Sequence, residues 1–176
     1  MAQTQYLAVT AIGTDKTGII SSLTRLVSEC HGNILDSRMA IFGQEFTFIM
    51  LLAGDRVAIS KIENTLPTTS HELGLLTMMK RTSRHKVVCD TQSYAIDYVG
   101  PDIPGTLSKF TEFLAQKKIS IASLKADAVE DATSDTEHTT SLRVQMPNHI
   151  NITEFAKELE SLCSKLQQTY KMKPLM

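Results

Sequence analysis

Two short turns with the pattern Gly-x-Asp-x-x-Gly carry the side chains best placed for chemistry in this sequence. The first covers Gly13–Gly18 around Asp15, and the second covers Gly100–Gly105 around Asp102. Each turn joins a strand pattern to a helix pattern, so it stands at a helix N-terminus. Unpaired backbone N–H groups and the positive end of the helix dipole attract anions there. A carboxylate or another anion could therefore bind at either turn.

The same residues also have a purely structural interpretation. Asp15 and Asp102 are candidate N-caps, and Pro104 suits the first turn of a helix that begins near residue 103. Gly18 and Gly105 lack a Cβ, so another backbone or a small ligand can approach them closely. Without further information, a tight strand-to-helix turn is the simpler of the two interpretations.

No other group of residues argues for catalysis or for a metal site. Gly13–Gly18 has the glycine spacing of a Walker A loop, but Ile19-Ile20 and Thr106-Leu107 stand where Lys-Ser/Thr would be needed. Cys30 and His31 are interpreted as a helix-end core residue and its exposed neighbour, because adjacent helical positions do not face each other. The five histidines show no His-x-x-x-His spacing. We therefore predict no catalytic residue, no metal site and no cofactor.

Two charged clusters are interpreted as solvated segments. The acidic cluster lacks the alternating ligand pattern of a calcium loop, and the basic cluster lacks interleaved aromatic residues and a helix-turn-helix pattern. The acidic residues are Asp127, Glu130, Asp131, Asp135 and Glu137, and the basic ones are Lys80, Arg81, Arg84, His85 and Lys86. The formal net charge of -1 offers no positive field that would attract nucleic acid or anionic lipid.

The same features bear on compartment. No apolar run approaches the roughly 20 residues of a membrane span, and the first residues show neither a secretory signal nor a transit peptide. The three cysteines contain no Cys-x-x-Cys pair, which favours a reducing environment over a disulfide framework. We expect a cytoplasmic protein with neither nucleic acid nor membrane as a direct partner.

An internal repeat organises the chain. Gly13 aligns with Gly100, and Ser21 aligns with Ser108, at a constant offset of 87 residues. The same offset aligns an alternating strand pattern and the apolar face of a following helix. The strand residues are Leu7, Val9 and Ala11 against Tyr94, Ile96 and Tyr98, and the helix residues are Ile20, Leu23, Leu26 and Val27 against Leu107, Phe110, Phe113 and Leu114.

The pattern continues in both copies with two strands, a helix and a last strand. Second strands start at Asn33 and Ser120, and third strands are predicted over 45–54 and 139–146, with a polar hairpin loop over 128–138 in the second copy. The second helices carry Ile59, Ile62 and Leu66, and Phe155, Leu159, Leu162 and Leu166. Pro67 is predicted to end or kink the first of these helices, and Asn151 to cap the second. The last strands are predicted over 75–80 and 170–172.

This order is βαββαβ repeated twice, which defines an α+β protein made of two ferredoxin-like modules. Each module is predicted to be a four-stranded antiparallel sheet with two helices on one face. We expect module 1 over residues 1–82, a linker over 83–91 and module 2 over 92–176. The sheet face without helices is expected to be covered by another sheet, or the sheets to pair edge to edge, which predicts a homo-oligomer.

With these turns and this order, the sequence resembles the ACT-domain family. The family pattern is an Asp-x-x-Gly turn, an apolar helix and an Asn-Ile opening of the second strand. Asp15–Gly18 with Asn33-Ile34 match this pattern, and so do Asp102–Gly105 with Ser120-Ile121, except that Ser120 replaces the Asn. The resemblance covers nearly the whole chain.

The resemblance implies a non-catalytic regulator that binds an amino acid, since ACT domains bind amino acids at interfaces between modules. It places candidate ligand-binding residues at Thr14, Asp15, Gly18, Asn33, Ile34, Asp102, Gly105, Ser120 and Ile121. The implied effector is glycine or another amino acid, and the implied protein partner is a transcriptional activator. The alternative is a regulatory subunit that controls a metabolic enzyme in trans. Pro101, Pro104 and Ser120 make the first copy the better candidate site.

Overall fold

A computed structural model describes residues 3–83, 90–129 and 137–175. The chain divides into two units, Met1–Lys86 and Val87–Met176. Unit 1 contains β1 (Gln5–Thr14), α1 (Ile19–Glu29), β2 (Asn33–Phe42), β3 (Glu45–Gly54), α2 (Arg56–Glu72) and β4 (Leu76–Thr82). Unit 2 contains β5 (Thr91–Pro101), α3 (Thr106–Gln116), β6 (Ser120–Val129), β7 (Glu137–Pro147), α4 (Ile152–Lys165) and β8 (Thr169–Leu175).

Both units have the same sheet. The strand order is β2-β3-β1-β4 in unit 1 and β6-β7-β5-β8 in unit 2, and the paired neighbours are antiparallel. In each unit, both helices contribute to one core cluster with the inward side chains of the sheet. The α+β fold with two ferredoxin-like modules predicted from the sequence is therefore confirmed.

The alternating pattern of β1 places its apolar side chains in the core. Leu7, Val9 and Ala11 have no exposed surface, whereas Tyr6 and Ala8 are half-buried on the other face of the sheet. Burying each large aliphatic side chain contributes about 1.5–3 kcal/mol. The same arrangement recurs in β5, where Ile96 and Tyr98 are buried.

The first helix of each unit buries the predicted face, except that its first core position lies one residue earlier than predicted. Ile19 is 3% exposed and Ile20 is 37% exposed, so Ile19 takes the core position expected for Ile20. Thr106 is likewise buried while Leu107 is half-buried. The cause is the helix start, because α1 and α3 begin only after a left-handed glycine that sets the phase of the helix.

Helix α2 continues through Pro67, so the prediction that this proline ends the helix is wrong. Proline has no N–H group, and its presence leaves the Glu63 carbonyl without its usual intrahelical donor. The burial of Ile62 and Leu66 on the same helix offsets this cost, and Pro67 itself is exposed.

The second helices of both units carry side-chain N-caps. The Asn151 side chain accepts hydrogen bonds from the backbone N–H groups of Thr153 at 3.0 Å and Glu154 at 3.3 Å, which confirms the predicted cap. Asp55 caps α2 by accepting from the N–H of Ala58 at 2.7 Å. The sequence pattern had given no prediction for Asp55.

The bounds of the later strands either match the predicted bounds or extend beyond them. β3 has the predicted bounds, and β4, β7 and β8 are longer than predicted. The ends of the predicted loop over 128–138 belong to strands, and residues 130–136 lie outside the described residues. Within the linker expected over 83–91, residues 84–89 also lie outside them. Among the helices that the structure describes, none is long and apolar enough to cross a membrane.

The caps give a testable consequence for stability. Replacing Asn151 by alanine removes the acceptor for two first-turn N–H groups, and we expect a loss of about 1 kcal/mol in the free energy of unfolding. Chemical denaturation measures this loss. Thr153→Ala is the control, because it keeps the Asn151 cap, and it is expected to change the free energy of unfolding by less than about 0.5 kcal/mol. Asn148→Ala is unsuitable as a control, because it also removes the hydrogen bond between Asn148 and Asp90. Equal losses in Asn151→Ala and Thr153→Ala would contradict the cap.

Candidate ligand site at the duplicated turn

The first glycine of each motif is required by a close backbone approach. A Cβ on Gly13 would lie 2.8 Å from the carbonyl oxygen of Gly74 and 2.8 Å from Cδ2 of Leu75. A Cβ on Gly100 would lie 2.6 Å from the carbonyl oxygen of Gln167. The end of the first strand therefore packs directly against the turn that precedes the last strand in each unit, and no side chain fits between them.

The second glycine of each motif is required by its backbone conformation. Gly18 and Gly105 have φ angles of 94° and 87°, and each is the N-cap of the following helix. These angles match the third residue of a type II turn, where glycine is favoured. A Cβ at either position would meet nothing within 4 Å. Among the described residues no backbone approaches these two glycines closely, and their left-handed conformation explains the residue type.

The turn before α3 shows the same geometry. The N–H of Thr106 bonds the carbonyl of Ile103 at 3.1 Å, which encloses Pro104 and Gly105 as the two central residues. Proline is common at the first of these positions. Pro104 thus belongs to the turn, and the prediction of a helix that begins near residue 103 is wrong because α3 begins at Thr106.

The aspartates of the motif have no structural role in the described parts of the chain. The predicted N-caps at Asp15 and Asp102 are wrong, because α1 and α3 have no side-chain cap at all. Both side chains are exposed. Within residues 3–83, 90–129 and 137–175, neither carboxylate has a hydrogen bond or an ion pair; only the backbone N–H of Asp15 is bonded, to the carbonyl of Gln44 at 3.4 Å.

The missing caps set α1 and α3 apart from α2 and α4. The first N–H of each helix bonds a carbonyl of the turn, from Ile19 to Lys16 and from Thr106 to Ile103. The next N–H groups of the first turn have no side-chain acceptor, so they are left to water or to an anion. With an exposed carboxylate four residues before the first residue of the helix, each turn offers both donors and an anionic acceptor. This pairing suits a small zwitterion, whose carboxylate takes the donors and whose ammonium takes the Asp side chain.

Within one unit the structure separates the candidate residues into two groups. Thr14, Asp15 and Gly18 lie at one end of the sheet, where Thr14 pairs with Glu45. Asn33 lies at the other end, because it pairs with Ala53 of β3 and Ala53 pairs with Tyr6 of β1. At about 3.3 Å per residue, the eight residue steps from Tyr6 to Thr14 span about 26 Å.

The second strands also orient their candidates differently. Asn33 and Ser120 are exposed. Ile34 packs against the core of unit 1, whereas Ile121 is 38% exposed. In unit 2 the Ser120 end of the sheet is again opposite the turn, since Ser120 pairs with Gln145 while Gly100 pairs with His138.

A residue that the sequence patterns missed holds the second turn. The buried side-chain amide Nε2 of Gln168 donates to the carbonyls of Pro101 at 3.0 Å and Leu166 at 3.2 Å. Gln168 stands beside Gly100 as Leu75 stands beside Gly13. The sequence did contain a signal for this role, because Gln168 is polar where the first copy has the apolar Leu75. The bond ties the turn of unit 2 to its last strand, and unit 1 has a leucine in that place.

The rest of the described chain offers little reactive chemistry. Burial raises the pKa of the Cys163 thiol to about 11, with a smaller contribution from Glu160, so this thiol stays protonated near neutral pH. Cys30 is buried at the end of α1 beside the exposed His31, as predicted. Among the described residues, no three His, Cys, Asp or Glu side chains come together as a metal site.

The fold, the duplicated turn and the comparisons agree on the class of protein. A family model described as ACT domain matches residues 5–80. An unknown protein from Galdieria sulphuraria has the same fold, with a TM-score of 0.82, 24% identity and coverage of 99% of this chain and 100% of that one. The chain is thus a tandem ACT-domain protein.

A curated relative defines the family more narrowly. The chain is 36% identical over 170 residues to the glycine cleavage system transcriptional repressor of Escherichia coli strain K12, covering 94% of this chain and 88% of the relative. A crystal structure of a protein proposed to be a repressor of that type has a TM-score of 0.77 and 34% identity, and covers 99% of both chains. The chain belongs to the family of glycine cleavage system transcriptional repressors.

The different demands on Gly18 and Asp15 can be tested directly. Gly18→Ala forces a left-handed conformation on a residue with a Cβ, and we expect a loss of about 1–2 kcal/mol in unfolding free energy. Asp15→Ala is the neighbouring comparison and is expected to stay within about 0.5 kcal/mol, because Asp15 caps nothing. Both values come from urea denaturation. A loss near 1 kcal/mol for Asp15→Ala would mean that this carboxylate caps α1 after all.

Proposed function

We propose that this protein is a non-catalytic regulator that represses transcription indirectly. It binds a transcriptional activator and releases it when glycine, or another amino acid, is plentiful. The proposal is supported by membership of a family whose curated relative is a transcriptional repressor, and by two ACT modules that account for nearly the whole chain. The genes concerned are, by the same relationship, those of glycine cleavage.

The single observation that carries the effector site is the aspartate of the duplicated turn. The two glycines of the motif are explained by a close contact and by a left-handed conformation. Asp15 is exposed and bonds no described side chain or backbone group through its carboxylate. Its presence beside an uncapped helix N-terminus therefore calls for a reason outside the fold, and an amino-acid ammonium group supplies one.

In the proposed complex, the ligand carboxylate accepts hydrogen bonds from first-turn N–H groups of α1, and its ammonium contacts Asp15. Thr14 and Gly18 form the rest of this half of the site. Asn33-Ile34 lie at the opposite end of the same sheet from Asp15. The Asn-Ile positions can therefore complete the site only if they belong to another ACT module. This agrees with the family habit of binding amino acids at interfaces between modules.

Unit 1 is the better candidate for the effector. In unit 2 the turn contains Pro101 and Pro104, and Gln168 fixes the carbonyl of Pro101. Ser120 also replaces the asparagine of the family pattern. A turn held this firmly adapts less to a ligand, so we propose that Asp102, Gly105, Ser120 and Ile121 form a weaker or purely structural copy of the site.

The proposal excludes two other activities. An enzymatic role has little support, because the described cysteines are buried and the motif supplies neither a nucleophile nor a base. Direct DNA binding has little support, because the formal net charge is -1. We place the protein in the cytoplasm, where a transcriptional activator and free amino acids are both available.

Calorimetry with glycine tests the effector site. We expect saturable heat with the full chain, at least a tenfold weaker affinity for Asp15→Asn, and a smaller change for Asp102→Asn. Asp15→Asn keeps the size of the side chain and removes the charge that would meet the ammonium. Asp97→Asn, on the sheet of unit 2, is the control for loss of a carboxylate elsewhere. If glycine and the other amino acids give no heat, or if Asp15→Asn binds as well as the parent, the proposed site is wrong.

Co-purification from cells tests the partner. We expect a transcriptional activator as the main bound protein, with its recovery reduced when glycine is added to the lysate. Recovery of a metabolic enzyme instead would support the alternative of a regulatory subunit acting in trans. Salt-sensitive operator binding by the purified protein alone would contradict indirect repression.

A further inference from the structure

The sheet faces that carry no helices differ sharply between the two units. In unit 1 this outer face holds large apolar side chains with much exposed surface. Exposed fractions reach 45% for Ile49, 71% for Met78 and 77% for Leu76. Single exposed apolar residues are normal, but a contiguous set on one face marks an interaction surface.

The largest apolar side chains of this face have polar counterparts in unit 2, whereas Val99 matches Ile12 and Ala95 matches Ala8. Ser141 pairs with Asp97 as Ile49 pairs with Thr10, so the registers can be compared residue by residue. The equivalent pairs are Ile49 and Ser141, Leu51 and Arg143, Met78 and Lys171, Leu76 and Thr169, and Ala40 and Asp127. The outer face of unit 2 carries an ion pair from Lys125 to Asp127 at 2.7 Å, and that of unit 1 carries a longer one from Arg38 to Asp36 at 3.9 Å.

This contrast removes the fold as an explanation of the apolar face. Both units have the same strand order and the same number of helices, and unit 2 keeps that fold with charged residues on its outer face. The apolar side chains of unit 1 therefore contribute nothing that the ferredoxin-like fold requires. A surface that is apolar without a structural need is one that another surface covers.

The charges on this face identify the covering surface. One row across the sheet of unit 1 runs Asp36, Leu51, Ala8 and Lys80, from edge strand β2 to edge strand β4. The row thus has a carboxylate at one edge, an ammonium at the other and apolar residues between them. We propose that the outer face of unit 1 is a homodimer interface in which two copies of this chain pack sheet against sheet.

A two-fold axis along the strands makes the face complementary to itself. Rotation about that axis keeps each row in register and exchanges the two edges, so Asp36 of one copy lies over Lys80 of the second copy, and the reverse pair forms as well. β3 lies over β1 of the second copy, which buries Leu51 and Ala8 between the sheets. Aligned sheet packing, with strands within about 30° of each other, has this symmetry.

The neighbouring rows fit the same arrangement. Ala40 and Leu76 are the edge residues of one row and come together across the interface. In the row between, Arg38 meets Met78 of the second copy, where its aliphatic stem can cover the methionine while the guanidinium reaches water. A shallow depression lined by Ala8, Asp36, Arg38, Ile49 and Leu51 lies where the Lys80 side chain of the second copy enters.

The competing symmetry is less favourable. A two-fold axis across the strands would place β4 over β4 and reverse the order of rows, so Lys80 would face apolar Leu76 or Met78 without a carboxylate. The size of the face is sufficient for a modest dimer. With strands about 4.8 Å apart and residues about 3.4 Å apart, its footprint is roughly 450 Å². Because side chains add surface to this flat footprint, the two faces together bury close to the total of about 1,000 Å² that a specific interface needs.

Sedimentation equilibrium of the full chain tests the proposal. We expect a concentration-dependent monomer–dimer equilibrium, a dimer at least tenfold weaker for Ile49→Lys, and no change for the matched control Ser141→Lys at the equivalent position of unit 2. Both substitutions are on outward-facing strand positions, so circular dichroism should show intact folds. A protein that stays monomeric at all concentrations, or equal effects of the two substitutions, overturns the proposal.

Charge reversal tests the symmetry. Asp36→Lys and Lys80→Asp should each weaken the dimer, because positions 36 and 80 of the two copies would then carry like charges where they face each other. The double variant should recover dimerisation to within about threefold of the parent, since the complementary pairs are restored with opposite sign. Equal weakening in the double variant would exclude the Asp36–Lys80 pairing, and a dimer unaffected by either reversal would place the interface elsewhere.

Discussion

The end of the first strand in each unit packs against the turn that leads into the last strand, and the rest of the site depends on this contact. It leaves no space for a Cβ on Gly13 or Gly100. The chain must then turn from the strand into a helix within a few residues, and a left-handed glycine completes that turn. A glycine has no side chain with which to cap the helix. The same constraint that closes the sheet therefore leaves the first turns of α1 and α3 without a side-chain cap.

This geometry connects a packing requirement to the proposed binding site. Asp15 and Asp102 lie within a turn whose shape is fixed by the glycines on either side, so their side chains are free of structural duties and point to water. In unit 2, a hydrogen bond from Gln168 adds a second restraint on the turn. In unit 1, Leu75 fills that place with apolar contact only. The duplicated module thus keeps one fold in both copies, while only the second copy has this added restraint on its turn.

The two outer sheet faces show a second division between the copies. Their strand registers correspond, but one face holds large exposed apolar side chains between charged edges and the other is mostly polar and charged. Duplicated modules can diverge in this way because residues on an outer face contribute little to the core and are constrained mainly by what they meet. A regulator with one associating module and one solvated module would keep the solvated surface of unit 2 available to a protein partner.

The sequence by itself determined the repeat, the order of strands and helices and the fold class, because alternation and helical spacing are local consequences of which side chains are buried. It also located Asn151 as a cap and Asp15 and Gly18 as a notable turn. It assigned the N-cap to Asp15 when Gly18 is the N-cap. Both a short polar side chain and a left-handed glycine are typical of a helix start, and only the backbone angles distinguish them. Because α1 begins directly after Gly18, Ile19 is buried in place of Ile20. The tertiary structure alone decided that Gly13 packs against Gly74 and Leu75 and that Gln168 reaches Pro101. Those relations join segments far apart in the chain, and local patterns carry no information about which distant segments meet.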